Sequence, residues 1–201
     1  MTSPADPPPA PASRPLTDFE HVLLSVIVQE PRSAYGLKKM FSSSPASVYQ
    51  PSPGALHPAL RRLEARGLLV AEQQVSSGRR ERRLYRATAA GQAMNQDWLR
   101  QPVNPGTVGS DLGLHLMRFA QMEGRLPRAE VLRFLDDLAQ ALGGFVGGME
   151  KLVAGGTLPN QHGELAVRHG IAVHRASLEW ARSARAALAG NHPAENNQME
   201  T

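Results

Sequence analysis

The sequence predicts a mainly α-helical protein interrupted by one small two-stranded β-wing, and three observations carry that expectation. Apolar residues recur at spacings of three and four in several segments between Thr17 and Leu188, which is the helical period. Only residues 68–75 and 82–87 read as strands, with a serine and glycine turn between them. Helix starts and stops are marked chemically, by capping threonines and serines before the periodic runs and by proline or glycine after them.

Residues 1–15, MTSPADPPPAPASRP, are expected to be a disordered proline-rich tail, without the apolar core of a signal peptide. The first helix begins at Thr17, an N-cap with Glu20 at capping-box spacing. Phe19, Val22, Leu23, Val26 and Ile27 form its apolar stripe, and Pro31 ends it. Ser33 can cap a short second helix, AYGLKKMF, with Leu37, Met40 and Phe41 inward and Lys38 and Lys39 outward. In the third, SPGALHPALRRLEARG, the residues Leu56, Ala59, Leu60 and Leu63 form one buried stripe, and Gly67 is a fitting stop. Pro58 cannot donate to the carbonyl of Gly54, so either the first turn is irregular or the helix starts near His57. After the two strands, which place Tyr85 and Ala87 on one face, Thr88 caps a further helix.

Charge is unevenly distributed. Residues 16–101 carry twelve Lys/Arg against seven Asp/Glu, whereas residues 102–201 carry nine against ten. A basic surface confined to one half points to a polyanion, most often nucleic acid. There is no cysteine, which excludes disulfides, thiolate chemistry and zinc sites that need sulfur, and fits a reducing cytoplasm. No segment approaches the roughly 18 apolar residues of a membrane span, so no membrane partner is expected. His162, His169 and His174 are spaced too widely along one helix to share an ion, and no catalytic triad or phosphate loop is recognisable. No enzyme activity, metal or cofactor is expected.

The order helix, helix, helix, strand, turn, strand, helix is that of a winged helix-turn-helix, whose third helix enters the DNA major groove. From Leu16 to about Leu99 the chain resembles the PadR-like family of bacterial transcriptional regulators. The resemblance rests on AYGL at 34–37, on PSPGALHPALRRLEARGLLV, and on GRRERRLYRATAAG at the wing and the next helix entry. Two positions depart from the family's pattern, His57 in place of the usual tyrosine and Lys38 where an acidic residue is common.

Residues 101–110, QPVNPGTVGS, read as a linker, and LGLHLMRFAQM after them as a helix. Beyond Pro127, Val131, Leu135, Leu138, Leu142, Phe145, Met149 and Leu152 alternate spacings of four and three, which is a heptad seam. Four glycines in GGFVGG at 143–148 weaken an isolated helix by about 1 kcal/mol each. A continuous or kinked helix is favoured there, offset by close approach of a partner helix, with a loop as the alternative. The last helix runs from about Glu164 to Leu188, with Arg168, Arg175 and Arg182 at seven-residue spacing, and residues 190–201 form a second tail. Its LAVRHGIAVHRASLEWA is similar to the C-terminal signature of the same family, which implies that region 111–189 builds a homodimer. The expected interface is Val131, Leu135, Leu138, Leu142, Phe145, Met149, Ile171 and Leu178.

The expected function is a cytoplasmic, homodimeric DNA-binding regulator, a repressor on a pseudo-palindromic operator, with DNA contacts from the domain at 16–100. The candidate contacts are Tyr35, Lys38 and Lys39, then Gln50, Ser52, His57 and Arg61, then the wing arginines Arg79, Arg80, Arg82 and Arg83. Arg86 is read as a brace of the sheet, and Tyr35 fits a core position as well as a phosphate contact. Trp98 and Trp180 are either packing residues or walls of a pocket for an apolar or aromatic effector, which the family resemblance implies. Two other function classes remain: a winged-helix module that binds an acidic protein, and a helical small-molecule carrier without DNA binding.

Overall fold

The computed structural model of the chain describes residues 14–43, 54–74 and 82–190. Its first helix, α1 (Asp18–Gln29), starts on a complete capping box. Thr17 Oγ1 accepts from the Glu20 N–H at 3.3 Å, and Glu20 Oε2 accepts from the Thr17 N–H at 2.8 Å. Phe19, Val22, Leu23, Leu24, Val26 and Ile27 are all buried. A helix apolar on more than one side is a central one, and α1 is packed by the elements that follow it.

The antiparallel sheet has three strands rather than the two expected, in the order β1-β3-β2: β1 (Arg32–Ser33), β2 (Leu69–Gln74) and β3 (Arg82–Ala87). The register pairs Leu69 with Ala87 and Ala71 with Tyr85, while Arg32 meets Tyr85 from the other side. A two-residue strand is too short to show alternation, so β1 exists only because β3 offers it an edge. Ser33 also starts α2 (Ala34–Ser43), its Oγ accepting from the Gly36 N–H at 3.1 Å.

The helix α3 (Leu56–Ala65) begins where the second reading of Pro58 placed it. Pro58 becomes the third helical residue, in the first turn, where an N–H has no partner within the helix, so no bond is lost. At the other end Gly67 has φ +67°. The Leu68 N–H donates to Leu63 O at 3.0 Å and the Gly67 N–H to Glu64 O at 2.9 Å, the paired bonds of a Schellman stop.

Thr88 joins the sheet to α4 (Ala89–Arg100). Its Oγ1 accepts from the Gly91 N–H at 3.1 Å and donates to Gly67 O at 2.7 Å. A Cβ at Gly91 would lie 2.1 Å from Leu68 O, so only glycine lets α4 approach the start of β2 this closely.

The segment expected as a linker is a packed turn: Val103 and Val108 are buried, and the N–H groups of Ser110 and Asp111 donate to Thr107 O at 3.0 and 2.9 Å. After α5 (Leu112–Ala120), α6 (Arg128–Ala154) runs without a break through Gly143–Gly148 for 27 residues, about 40 Å at the usual rise. It forms an antiparallel hairpin with α7 (Gln161–Gly190). No helix among the described residues is long and apolar enough to cross a membrane.

The two halves share one core. Trp98 and Leu99 of α4 belong to the same buried cluster as Phe134, Leu135, Leu138 and Leu142 of α6 and Leu178 of α7. Polar ties reinforce the junction. Ser25 Oγ on α1 donates to Gln121 Oε1 at 3.3 Å, and Arg125 donates to Ser25 O and Oγ, each at 3.1 Å.

Candidate nucleic-acid interface

The outward face of the helix-turn-helix follows from what α2 and α3 bury. Leu37 and Phe41 turn inward on α2, which leaves Tyr35, Lys38 and Lys39, at i, i+3 and i+4, on its outer side. Tyr35 is 76 % exposed, which removes the core reading of that side chain. Ala59, Leu60 and Leu63 of α3 are fully buried, and the same period puts His57 and Arg61 outward.

Most described arginines of the winged half have an ionic partner and these cations do not; Arg66 also lacks one and donates to Arg14 O at 2.7 Å. Among the described residues, Lys38, Lys39 and Arg61 enter no ion pair. Arg32 is held by Glu30 at 2.7 Å, Arg62 by Glu20, Arg83 by Glu64 at 2.5 Å and Arg86 by Glu72 at 3.3 Å.

Glu20 positions this surface. It is 1 % exposed, and besides capping α1 it accepts from Arg62 Nε, which fixes α3 against the start of α1. Burial alone raises a carboxyl's pKa. Here the Thr17 backbone N–H and the Arg62 guanidinium outweigh it and hold the Glu20 carboxyl below the ordinary carboxylate range. Sequence reasoning saw the cap but not the anchor, because Arg62 lies 42 residues away in the chain and only the fold brings the two together.

Of the wing candidates, Arg83 is half committed to structure. Its Nη2 lies 2.5 and 2.7 Å from the two Glu64 carboxylate oxygens, and its Cζ lies 5.6 Å from the centre of the Tyr85 ring. Glu64 also raises the pKa of Arg83, first through the hydrogen bond. The arginine therefore ties β3 to the end of α3. Arg86 bridges to Glu72 on the neighbouring strand, the brace that the sequence assigned to it. Gln50, Ser52, Arg79 and Arg80 lie outside the described residues, as does the side chain of Arg82.

The two tryptophans do not share a site. Trp98 is 3 % exposed and stacks on His21 of α1, with ring centres 5.5 Å apart and planes 4° from parallel. Burial lowers the pKa of that histidine. Trp180 instead lines an apolar cleft of about 520 Å³ between α5 and α7, with Leu116, Met117, Phe119 and Ser177, and meets Phe119 edge-on at 5.4 Å.

The seam expected to face a second copy is largely buried within one chain. Leu135, Leu138 and Leu142 have no exposure, and Ile171 and Leu178 are buried, whereas Val131, Phe145 and Met149 are half-buried. A heptad pattern marks a helix that packs along a partner, and here α7 of the same chain is that partner. A Cβ at Gly144, Gly147 or Gly148 would meet nothing within 4 Å, so among the described residues no helix approaches these three glycines. Phe145, Met149 and Gly148 line a groove of about 880 Å³ on this side of α6. Among the described residues no group of three or more His, Asp or Glu side chains is placed to hold a metal ion.

Comparison with known proteins places the winged half. The model of the transcriptional regulator PadR-like family matches residues 23–97. That span runs from the middle of α1 through α4, and it includes every described residue of the outward face. Residues 23–97 are thus similar to the PadR-like regulators, over less than half of the chain. The transcriptional regulator Rv3488 of Mycobacterium tuberculosis is 64 % identical to this chain over 45 residues, which is 22 % of the chain and 41 % of that protein. Among solved structures, Bacillus subtilis PadR in complex with operator DNA is similar at 16 % identity and TM-score 0.41, covering 85 % of this chain and 98 % of that one. The same protein with p-coumaric acid gives 16 %, 0.41, 86 % and 99 %. Glu20 precedes the matched span, so the anchor of α3 lies just outside it.

Proposed function

We propose that the protein is a DNA-binding transcriptional repressor that acts as a homodimer on a pseudo-palindromic operator. The observation that carries the reading is the cationic face of α2 and α3, where Lys38, Lys39 and Arg61 lie beside the exposed Tyr35 and, among the described residues, enter no ion pair, while Arg32, Arg62, Arg83 and Arg86 are each held by a carboxylate. Unpaired side-chain cations around an exposed helix are what phosphates require, and α3 presents His57 and Arg61 where a recognition helix presents base and phosphate contacts. Arg79, Arg80 and Arg82 of the wing are assigned to flanking phosphates. Arg83 contributes by holding the wing against α3.

We assign the dimer surface to the side of α6 that the described residues leave open at its glycines. Gly144, Gly147 and Gly148 are open there, Phe145 and Met149 are half-buried, and Leu152 is 44 % exposed. Two copies related by a two-fold axis then carry two α3 helices to half-sites about one helical turn of DNA apart. The cleft beside Trp180 is the place for an apolar or aromatic effector, and Trp98 is assigned to packing. A cytoplasmic location goes with this function.

The test is selection of bound sequences from a random DNA pool, followed by titration of the selected site. The expected result is an inverted repeat bound by two protein chains, with binding lost in the Arg61→Ala, Lys38→Ala double variant. Binding without sequence preference, or binding to an acidic protein with none to DNA, overturns the reading.

A further inference from the structure

One cation in the helical half is buried rather than exposed, and it has no counterpart among the paired arginines around it. Arg118, on α5, is 4 % exposed, and its Nε and Nη2 are buried without a hydrogen-bond partner. Among the described residues no carboxylate forms an ion pair with it. Its Cζ lies 4.7 Å from the centre of the Phe134 ring on α6, so the guanidinium rests on an aromatic wall. His115, one turn earlier on α5, is 5 % exposed, and its ring centre lies 6.3 Å from that of the same phenylalanine. Both of its ring nitrogens are also buried without partners.

An isolated charge in such a place costs several kcal/mol, and a methionine would cover Phe134 equally well without that cost. Burial pushes the Arg118 guanidinium down to about 10, yet it still carries its proton at neutral pH. Burial also lowers the pKa of His115, and Arg118 adds to the effect. The two unpartnered nitrogens are informative by their identity. Nε and Nη2 lie on the same edge of the guanidinium, and their N–H bonds run parallel, the fork that meets two oxygens of one planar anion.

We propose that Arg118, with His115 beside it, forms a binding site for a small planar oxyanion of the formate, acetate or bicarbonate class between α5 and α6. The anion is compact, because the clefts lined by Phe145, by Phe134 and by Trp180 do not include Arg118 or His115 in their walls. The site stands close to the junction of the two halves, since the end of α5 is tied to α1 through Gln121 and Ser25. Occupation therefore stabilises the junction, whether or not DNA is bound.

Thermal unfolding of the full chain tests this without DNA, with sodium chloride replaced stepwise by sodium formate at constant total concentration. At ten times the dissociation constant of formate, the wild-type midpoint is expected to rise by about 3–5 °C. Arg118→Met is expected to show no formate-dependent rise. Arg118→Lys keeps the charge but lacks the fork, so it responds to formate and chloride alike, and it carries the test if the methionine variant does not fold. In parallel, the carbon resonance of ¹³C-formate broadens with wild-type protein and stays sharp with Arg118→Lys. Equal formate dependence in wild type and Arg118→Met, full formate preference in Arg118→Lys, or a formate resonance unchanged by the wild-type protein overturns the proposal.

Discussion

The winged half and the helical hairpin leave different chemistry in water. On α2 and α3 the outward residues are Lys38, Lys39, His57 and Arg61, with Tyr35 at 76 % exposure. On α6 and α7 three arginines are paired, Arg168 with Glu164 at 2.6 Å, Arg185 with Asp136 at 2.6 Å, and Arg175 with Glu150, while the exposed Arg133 and Arg182 enter no ion pair among the described residues. Aliphatic side chains stay exposed there instead, Leu152 at 44 %, Leu165 at 57 % and Val173 at 42 %. Unpaired cations suit a polyanion, and exposed aliphatics suit an apolar partner. One chain thus prepares two unlike surfaces, a cationic one on α2 and α3 and a partly aliphatic one on the hairpin.

The largest effect separates the inward side of α6 from its outward side. Leu138 is fully buried, so Leu138→Ala is expected to lower the unfolding free energy by about 2–5 kcal/mol in a urea titration. Leu152→Ala is expected to stay within about 0.5 kcal/mol, yet to weaken self-association measured by sedimentation. If Leu152→Ala unfolds as easily as Leu138→Ala, the distinction between the two sides fails.

Next in size is the salt dependence of DNA binding, which tests whether unpaired and paired cations differ in kind. Replacing Lys38, Lys39 and Arg61 together by alanine is expected to flatten the slope of log affinity against log salt by roughly 2.7, about 0.9 for each phosphate contact. Arg86→Ala, which removes a brace, is expected to leave that slope unchanged. Equal slopes in the two variants would show that partner status does not sort these residues.

Much of this was legible in the sequence wherever the cause is local. The capping box at Thr17 and Glu20, the stop at Gly67 and the helix start at Thr88 are set by neighbours within a few residues, and all three stand in the structure. The outward side of α2 and α3 was equally legible, because burying Leu37, Leu60 and Leu63 determines by period what is left outside. Partners distant in sequence were not. Arg83 read as one of four wing cations, although Glu64 takes it into the structure, and the heptads of α6 read as a seam between subunits although α7 takes that place. Periodicity reports that a face is covered, not by which chain. The burial of Arg118 left no trace at all, since an arginine among apolar residues on a helix reads as a snorkelling one.

A smaller change tests how α3 is held. Glu20→Gln is expected to cost about 1–2 kcal/mol, because it removes a charged acceptor from a buried position while Arg62, half exposed, keeps its solvation. The native carboxyl titrates below its unfolded value of about 4.3, so its contribution is present above that pH and is lost as pH falls through the folded value. Acid denaturation followed by circular dichroism should therefore be less steep in Glu20→Gln. An unchanged profile would mean that Arg62 does not depend on Glu20 for its place.

The smallest effect compares the halves through one histidine in each. His21, stacked on Trp98, and His115, over Phe134, both have pKa values lowered first by burial. For such a group the unfolded chain takes up a proton near pH 6.5 that the fold resists. Its stabilising contribution is present above that pH and is lost as pH falls from 6.5 through the folded value. His21→Phe keeps an aromatic ring against Trp98 and removes the titration, so its unfolding free energy should change less between pH 7.5 and 5.5 than that of the wild type. The dependence that remains includes His115, where the neighbouring guanidinium opposes protonation as well. An oxyanion at Arg118 would offset that repulsion, so formate is expected to reduce the remaining acid sensitivity in His21→Phe while leaving the part due to His21 unchanged. If formate acts equally on both parts, the two histidines belong to one coupled region and the boundary between the halves is not electrostatic.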